Sequence, residues 1–281
     1  MLALFLLDEW RRSKKQGLVY LADGERKAEQ IGALLDALAP ACGVMVLPRQ
    51  DALPFDEAGP SRAVSGRRSS VLRRLAEMDV PPLLISTAEG VSQLVAHRGH
   101  WENSVVNLRV GGPFVEANLR AFLEESGYLL DEPVESPGCA LFQGQVVELY
   151  PAGSLGPVRI ETAQDRIIGI RSYNLSDGTV ITELDDLAVD RVLETPDVRG
   201  AIGGTRERPD FQLVSLFSYL PSATLVLDSG VEERGALWLE QIEEQGADDR
   251  KSAPAQFLAA LDRPAARARD PIADRRRSRR R

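Results

Sequence analysis

The first third of the chain switches between two hydrophobic periods. Gly17-Leu18-Val19-Tyr20-Leu21-Ala22 is a run of strand length, and Asp23-Gly24 supply a turn after it. Ile31, Leu34, Leu35 and Leu38 then recur at the spacing of one helix face. Val44 to Leu47 predicts a second strand, closed by Pro48, and a polar loop with Pro54, Gly59 and Pro60 follows. The spacing of Val71, Leu72 and Leu75 predicts a helix over 65–78. Leu83-Leu84-Ile85-Ser86 predicts a third strand, and Glu89 to Val95 a short helix. Strands alternating with helices predict a parallel α/β sheet.

The middle third changes period. Phe114, Leu119, Phe122 and Leu123 mark an amphipathic helix over 114–126, stopped by Gly127. From Tyr128 to about Thr195 short β-branched and apolar runs are cut by turns at Pro137-Gly138, Gly153-Ser154 and Asp177-Gly178. This text predicts an α+β unit. Leu225-Val226-Leu227 then returns to a single buried strand and Val231 to Gln245 to a helix, so the first sheet is expected to be completed after an insertion.

Composition leaves room for this plan. With 281 residues and 43% apolar content the chain can bury two cores. No apolar run approaches the roughly 20 residues needed to span a bilayer. Met1 to Leu7 is apolar but short and runs directly into Asp8 and Glu9, so a signal peptide is not expected. Cys42 and Cys139 make neither a disulfide framework nor a metal-ligand spacing, and a cytoplasmic location is expected. Residues 263–281 hold nine Arg and two Asp, a net +7, which leaves −15 of the total −8 on residues 1–262. An acidic body argues against nucleic-acid binding there, whereas the arginine-rich tail is open to a polyanion or to simple solvation.

Candidate chemistry is sparse. A phosphate loop needs glycines whose N–H groups cradle phosphate and a lysine that neutralises it. None of Lys14, Lys15, Lys27 and Lys251 stands in that motif, and no GxGxxG occurs. Leu129-Leu130-Asp131-Glu132-Pro133 imitates a magnesium-binding strand end, but without a phosphate loop its carboxylates have nothing to act on. His97 and His100 give two ligands at most, so no metal site is expected. The arginines between Arg62 and Arg74 are expected on the solvated face of their helix. No cofactor and no catalytic residue is expected.

The most distinctive text is Val146 to Asn174. A strand ends in Leu149-Tyr150-Pro151, a Gly/Ser/Pro turn follows, and two further strands present Arg159 and Arg171 with Asp165 between them. Together with Gln50-Asp51-Ala52-Leu53-Pro54-Phe55-Asp56, the helix at 65–75, Leu83 to Val95, Leu119 to Tyr128 and Leu216-Phe217-Ser218-Tyr219-Leu220-Pro221, it resembles the N-terminal part of bacterial transcription-repair coupling factor (Mfd), itself similar to the excision-repair subunit UvrB. The order and approximate spacing of these segments carry the resemblance, over about residues 17–245.

The resemblance implies a degenerate helicase-like (P-loop NTPase-like) α/β domain at 1–105 plus 200–250. It implies an inserted α+β domain at 106–199 that docks the damage-recognition protein UvrA; the basic composition of 251–281 separately predicts a disordered tail. The chain is expected to lack the family's motor domains. In the family an Arg-Gly pair opens the first docking strand, an arginine sits on the next, and an aromatic follows it. Here these positions hold Gln143-Gly144, Arg159 and Ala163, and Arg171 joins them as a second arginine of the sheet. Glutamine lacks the charged fork of arginine. Losing two of three anchors at about 2 kcal/mol or more each implies weaker docking. Three readings follow: a non-catalytic interaction module, a truncated paralogue without retained activity, and a nucleotide- or nucleic-acid-binding protein with decayed motifs.

Overall fold

The computed structural model describes residues 1–13, 16–52, 59–78, 82–194, 212–244 and 267–269. The chain divides into two compact units: residues 1–59, 74–97 and 212–281, and residues 60–73 and 98–211. The expected fold class is the one observed: an α/β unit with a parallel sheet, and an α+β unit of mainly antiparallel strands.

In the first unit β1 (Leu18–Ala22) pairs in parallel with β3 (Leu83–Thr87) on one side and β14 (Thr224–Leu227) on the other. β2 (Met45–Val46) pairs with β3, and β15 (Arg267–Arg269) with β14, giving the order β15-β14-β1-β3-β2. β15 lies within the span expected to be a disordered tail; the rest of 251–281 is outside the described residues. All five residues of β1 and of β3 are buried, as a sheet covered on both faces requires.

One core cluster joins Leu18, Tyr20, Leu83, Ile85 and Val226 to α1 (Leu2–Arg12), through Ala3, Leu6 and Leu7, and to α2 (Glu25–Leu38), through Ala28 and Leu35. The apolar start of the chain is thus a core helix. In α2 the buried face differs from the one its leucines predict. Ala28, Gly32 and Leu35 face inward, while Leu34 and Leu38 are exposed. A Cβ on Gly32 would lie 2.3 Å from Val46 Cγ2, so glycine is what lets α2 approach β2 this closely.

In the second unit six strands run in the order β11-β10-β9-β8-β7-β6, comprising β6 (Leu129–Leu130), β7 (Cys139–Gln143), β8 (Val146–Leu149), β9 (Val158–Ala163), β10 (Arg166–Tyr173) and β11 (Val180–Glu183). All pairings are antiparallel except β6 with β7. A two-stranded sheet of β5 (Val105–Arg109) and β12 (Asp186–Asp190) belongs to the same unit. Alternation along β9 is strict: Val158, Ile160 and Thr162 are buried, and Arg159, Glu161 and Ala163 lie on the other face. The inner face packs with Leu119 and Leu123 of α5 (Glu116–Glu125) in a core that includes Val147, Leu149, Ile160, Ile167 and Ile170.

The helix α3 (Arg62–Glu77) corrects one sequence reading, for its arginines do not all face solvent. Arg68 is fully buried, with Nε 2.6 Å from Glu194 Oε2 and Nη2 3.2 Å from Oε1. Arg73 pairs with Asp190, which also accepts a hydrogen bond from Ser70 at 2.7 Å. These bonds fasten α3 to residues 190–194. They are why residues 60–73, read from sequence as part of the α/β body, fall in the second unit. Gly66 lets the same helix lie against Ala152, whose Cβ would be 2.8 Å from an added methyl.

Candidate docking site

The outer face of the six-stranded sheet carries all five residues singled out by the sequence. Gln143 ends β7, and Gly144 takes the first place of the two-residue turn into β8 with φ of 62°, a conformation that favours glycine. Nothing lies within 4 Å of where a Gly144 Cβ would be, so the turn tip is open. Arg159 and Ala163 are four residues apart on β9, hence on the same face and roughly 13 Å apart along the strand. The Gly144-Gln145 turn lies beside the Ala163 end of β9, because Gln145 O accepts from Thr162 N at 2.8 Å. Arg171 stands directly opposite Arg159 on β10.

A bulge produces that last pairing. At the tip of the β9–β10 hairpin Arg166 pairs with Ala163 and Ile167 with Thr162, around a turn in which Gln164 and Asp165 both have positive φ. Continued without interruption, that register would set Arg171 against Val158, on the buried face. Ile168 is an extra, exposed residue between Ile167 and Gly169; beyond it Gly169 pairs with Glu161 and Arg171 with Arg159. A slip of one residue turns every following side chain over. Ile168 therefore places Arg171 outside and Ile170 inside. The tip itself is held by Phe114 N donating to Asp165 O at 2.8 Å and by Arg166 Nη1 donating to Gly111 O at 2.8 Å.

Both arginines are already engaged. Arg159 donates from Nε (3.1 Å) and Nη2 (2.7 Å) to Glu148 Oε1, its strand neighbour on β8. Its guanidinium carbon lies 5.1 Å from the centre of the Tyr173 ring. Tyr173 in turn donates from its hydroxyl to Glu148 Oε2 at 3.4 Å. Burial, and after it the Glu148 charge, pushes the Tyr173 hydroxyl up to about 12. Arg171 pairs with Glu161 and, at 3.3 Å, with Glu183. Three glutamates thus answer two arginines, and the face has no excess of positive charge. Glu148 and Tyr173 were not singled out by sequence reasoning; strand alternation together with the β8–β9–β10 register would have found them.

The other candidate chemistry resolves into structure. Asp131, in the magnesium-like text, is held by Arg120 through two bonds of 3.0 and 3.2 Å, which keep its carboxyl below the usual range. Where an open α/β sheet binds ligands, at the carboxyl ends of its strands, Asp23 and Gly24 alone connect β1 to α2. There the buried Asp228 at the end of β14 accepts from Lys27, from Asp23 N at 3.4 Å and from Ser229 N at 3.0 Å. Among the described residues no three His, Cys, Asp or Glu side chains are grouped to hold a metal ion, and no helix is long and apolar enough to cross a membrane.

Comparison with known proteins fits this geometry. Residues 106–190 match the UvrB interaction domain family, a span that contains all five candidate residues as well as Glu148 and Tyr173. The chain is similar to the transcription-repair-coupling factor of Haemophilus influenzae, at 23% identity over 281 aligned residues covering 87% of this chain and 24% of that protein. It is also similar to those of Bacillus subtilis, at 24% over 58% of this chain and 14% of the other, and of Myxococcus xanthus, at 28% over 65% and 16%. The chain therefore spans a quarter or less of the length of these relatives. The resemblance drawn from the ordered segments of the sequence is the one these comparisons find.

Proposed function

We propose that this chain is a protein-interaction module related to the UvrA-docking part of transcription-repair coupling factor, and that it works in nucleotide-excision repair by presenting the outer face of its six-stranded sheet to UvrA. The observation that carries the reading is the match of residues 106–190 to the UvrB interaction domain. The gathering of Gln143, Gly144, Arg159, Ala163 and Arg171 on one face of that domain supports it. In this reading the module is non-catalytic. That part is supported by the two-residue link after β1, too short for a phosphate-cradling loop, and by the Lys27–Asp228 pair at the carboxyl end of the sheet, where open α/β sheets bind ligands.

Pull-down of the folded chain with purified UvrA tests the docking part, and capture at micromolar concentration is expected. Absence of capture would favour the other reading, a paralogue that has lost its partner, to which Gln143 and Ala163 at the family's anchor positions lend weight. An ATPase assay with and without single-stranded DNA tests the non-catalytic part, and DNA-stimulated turnover would overturn it.

A further inference from the structure

The aromatic that the docking pattern places at Ala163 is missing, yet an aromatic does meet Arg159. Tyr173 comes from the neighbouring strand, and its ring lies under the guanidinium at 5.1 Å. Only 6% of Tyr173 is exposed, so it offers a partner little surface of its own. What it can do is fix the arginine. The guanidinium lies over the ring and is tied along its Nε–Nη2 edge to one oxygen of Glu148. The Tyr173 hydroxyl reaches the other oxygen of the same carboxylate. Each member of this cluster restrains the next. A long arginine otherwise loses much rotamer freedom on binding, and this cost is met in advance when the free protein already holds the bound pose.

We propose, resting on the docking reading above, that Glu148 and Tyr173 are positioning residues which hold Arg159 ready for its partner, and that the group Arg159 takes from UvrA is an uncharged carbonyl oxygen. Beyond the two hydrogen bonds to Glu148, Nη1 has no hydrogen-bond partner among the described residues, and the side chain is 38% exposed. The charge of Arg159 is already answered by Glu148, and Glu161 and Glu183 answer Arg171. With Arg166, which shares this face beside Ala163, three arginines already meet three glutamates, and a partner carboxylate would add an anion next to the one that already holds Arg159. A carbonyl oxygen accepts the same hydrogen bond without that repulsion.

The test combines side-chain NMR of the free chain with affinity for purified UvrA, in wild type, Tyr173→Phe, Tyr173→Leu and Glu148→Ala. In wild type the Arg159 Nε–H signal is expected to be slowed in hydrogen exchange and displaced by the tyrosine ring current. Tyr173→Phe is expected to keep the displacement, Tyr173→Leu to remove it, and Glu148→Ala, which leaves no acceptor at that position, to remove the protection. UvrA affinity is expected to follow the signal, falling about threefold to tenfold in Tyr173→Leu and Glu148→Ala and little in Tyr173→Phe. Because Tyr173 is buried, Glu148→Ala carries the test if Tyr173→Leu does not fold.

For wild type, raising salt from about 50 to about 300 mM is expected to weaken binding less than about threefold. A tenfold or greater loss over that range overturns the carbonyl assignment. Unchanged affinity in Glu148→Ala, with Arg159→Ala still crippling, overturns the positioning roles and leaves docking standing. No UvrA binding by wild type, with the NMR signature intact, overturns the docking reading and the roles built on it.

Discussion

Arg159 and Arg171 stand directly opposite each other on adjacent strands of the outer sheet face. Like charges so placed repel. The pair is tolerated because Glu148 takes the first arginine and Glu161 and Glu183 take the second. Across β8 to β11 the proposed docking face therefore runs Glu148, Arg159, Arg171, Glu183, with the two arginines brought into register by one extra residue, Ile168.

Restoring the anchors that the resemblance implies should strengthen the proposed docking. Gln143 and Ala163 flank the open end of this face, so Gln143→Arg and Ala163→Phe add an exposed fork and an aromatic without entering the core. Each is expected to tighten UvrA binding by about threefold to tenfold, and titration calorimetry reads the change. No gain from either would mean that these positions lie outside the contact.

Deleting Ile168 should cost more than any single surface substitution. It would return the hairpin to one continuous register, forcing either Arg171 inward or Ile170 outward. The loss of core packing is expected to be about 2 kcal/mol or more, with lowered thermal stability of the second unit by circular dichroism. A stable deletion variant would show that the register has another source.

The buried pair of Arg68 and Glu194 predicts an asymmetric mutant series. Glu194→Ala removes the carboxylate that accepts two bonds from the buried Arg68 and is expected to cost about 3–5 kcal/mol in urea unfolding. Replacing both, as Arg68→Met with Glu194→Leu, is expected to cost much less. Equal losses in the two variants would contradict the account of α3.

Gly32 makes a packing prediction. Gly32→Ala is expected to lower stability by about 1–2 kcal/mol, even though alanine favours the helix by about 1 kcal/mol. Adding Val46→Ala removes the contact at 2.3 Å, so the two changes should couple by about 1 kcal/mol in a double-mutant cycle. Simple additivity would argue against the close approach.

These cases also mark what the sequence made legible. β1, β3 and β14 were readable because a sheet buried on both faces leaves unbroken apolar runs. The β-type middle was readable from its turns. The buried face of α2 was not, because its contact is made by a residue with no side chain. Nor was the burial of Arg68, because Glu194 lies 126 residues away and leaves no local mark. In the proposed docking face, alternation alone put Arg159 and Ala163 together. It could not assign Arg171 to that face, since the text Ile167-Ile168-Gly169-Ile170 does not say which isoleucine is the extra one. Glu148 and Tyr173 depend on the same register and were hidden with it.

The most direct measurement is titration calorimetry of purified UvrA into wild type and Arg159→Ala, with a thermal melt of each. Saturable binding by wild type is expected, together with about a tenfold or greater loss in Arg159→Ala and a melting temperature within about two degrees of wild type, since a half-exposed ion pair contributes little to stability. No binding by the folded wild type, or equal affinity in the variant, would contradict the claim that this face docks UvrA.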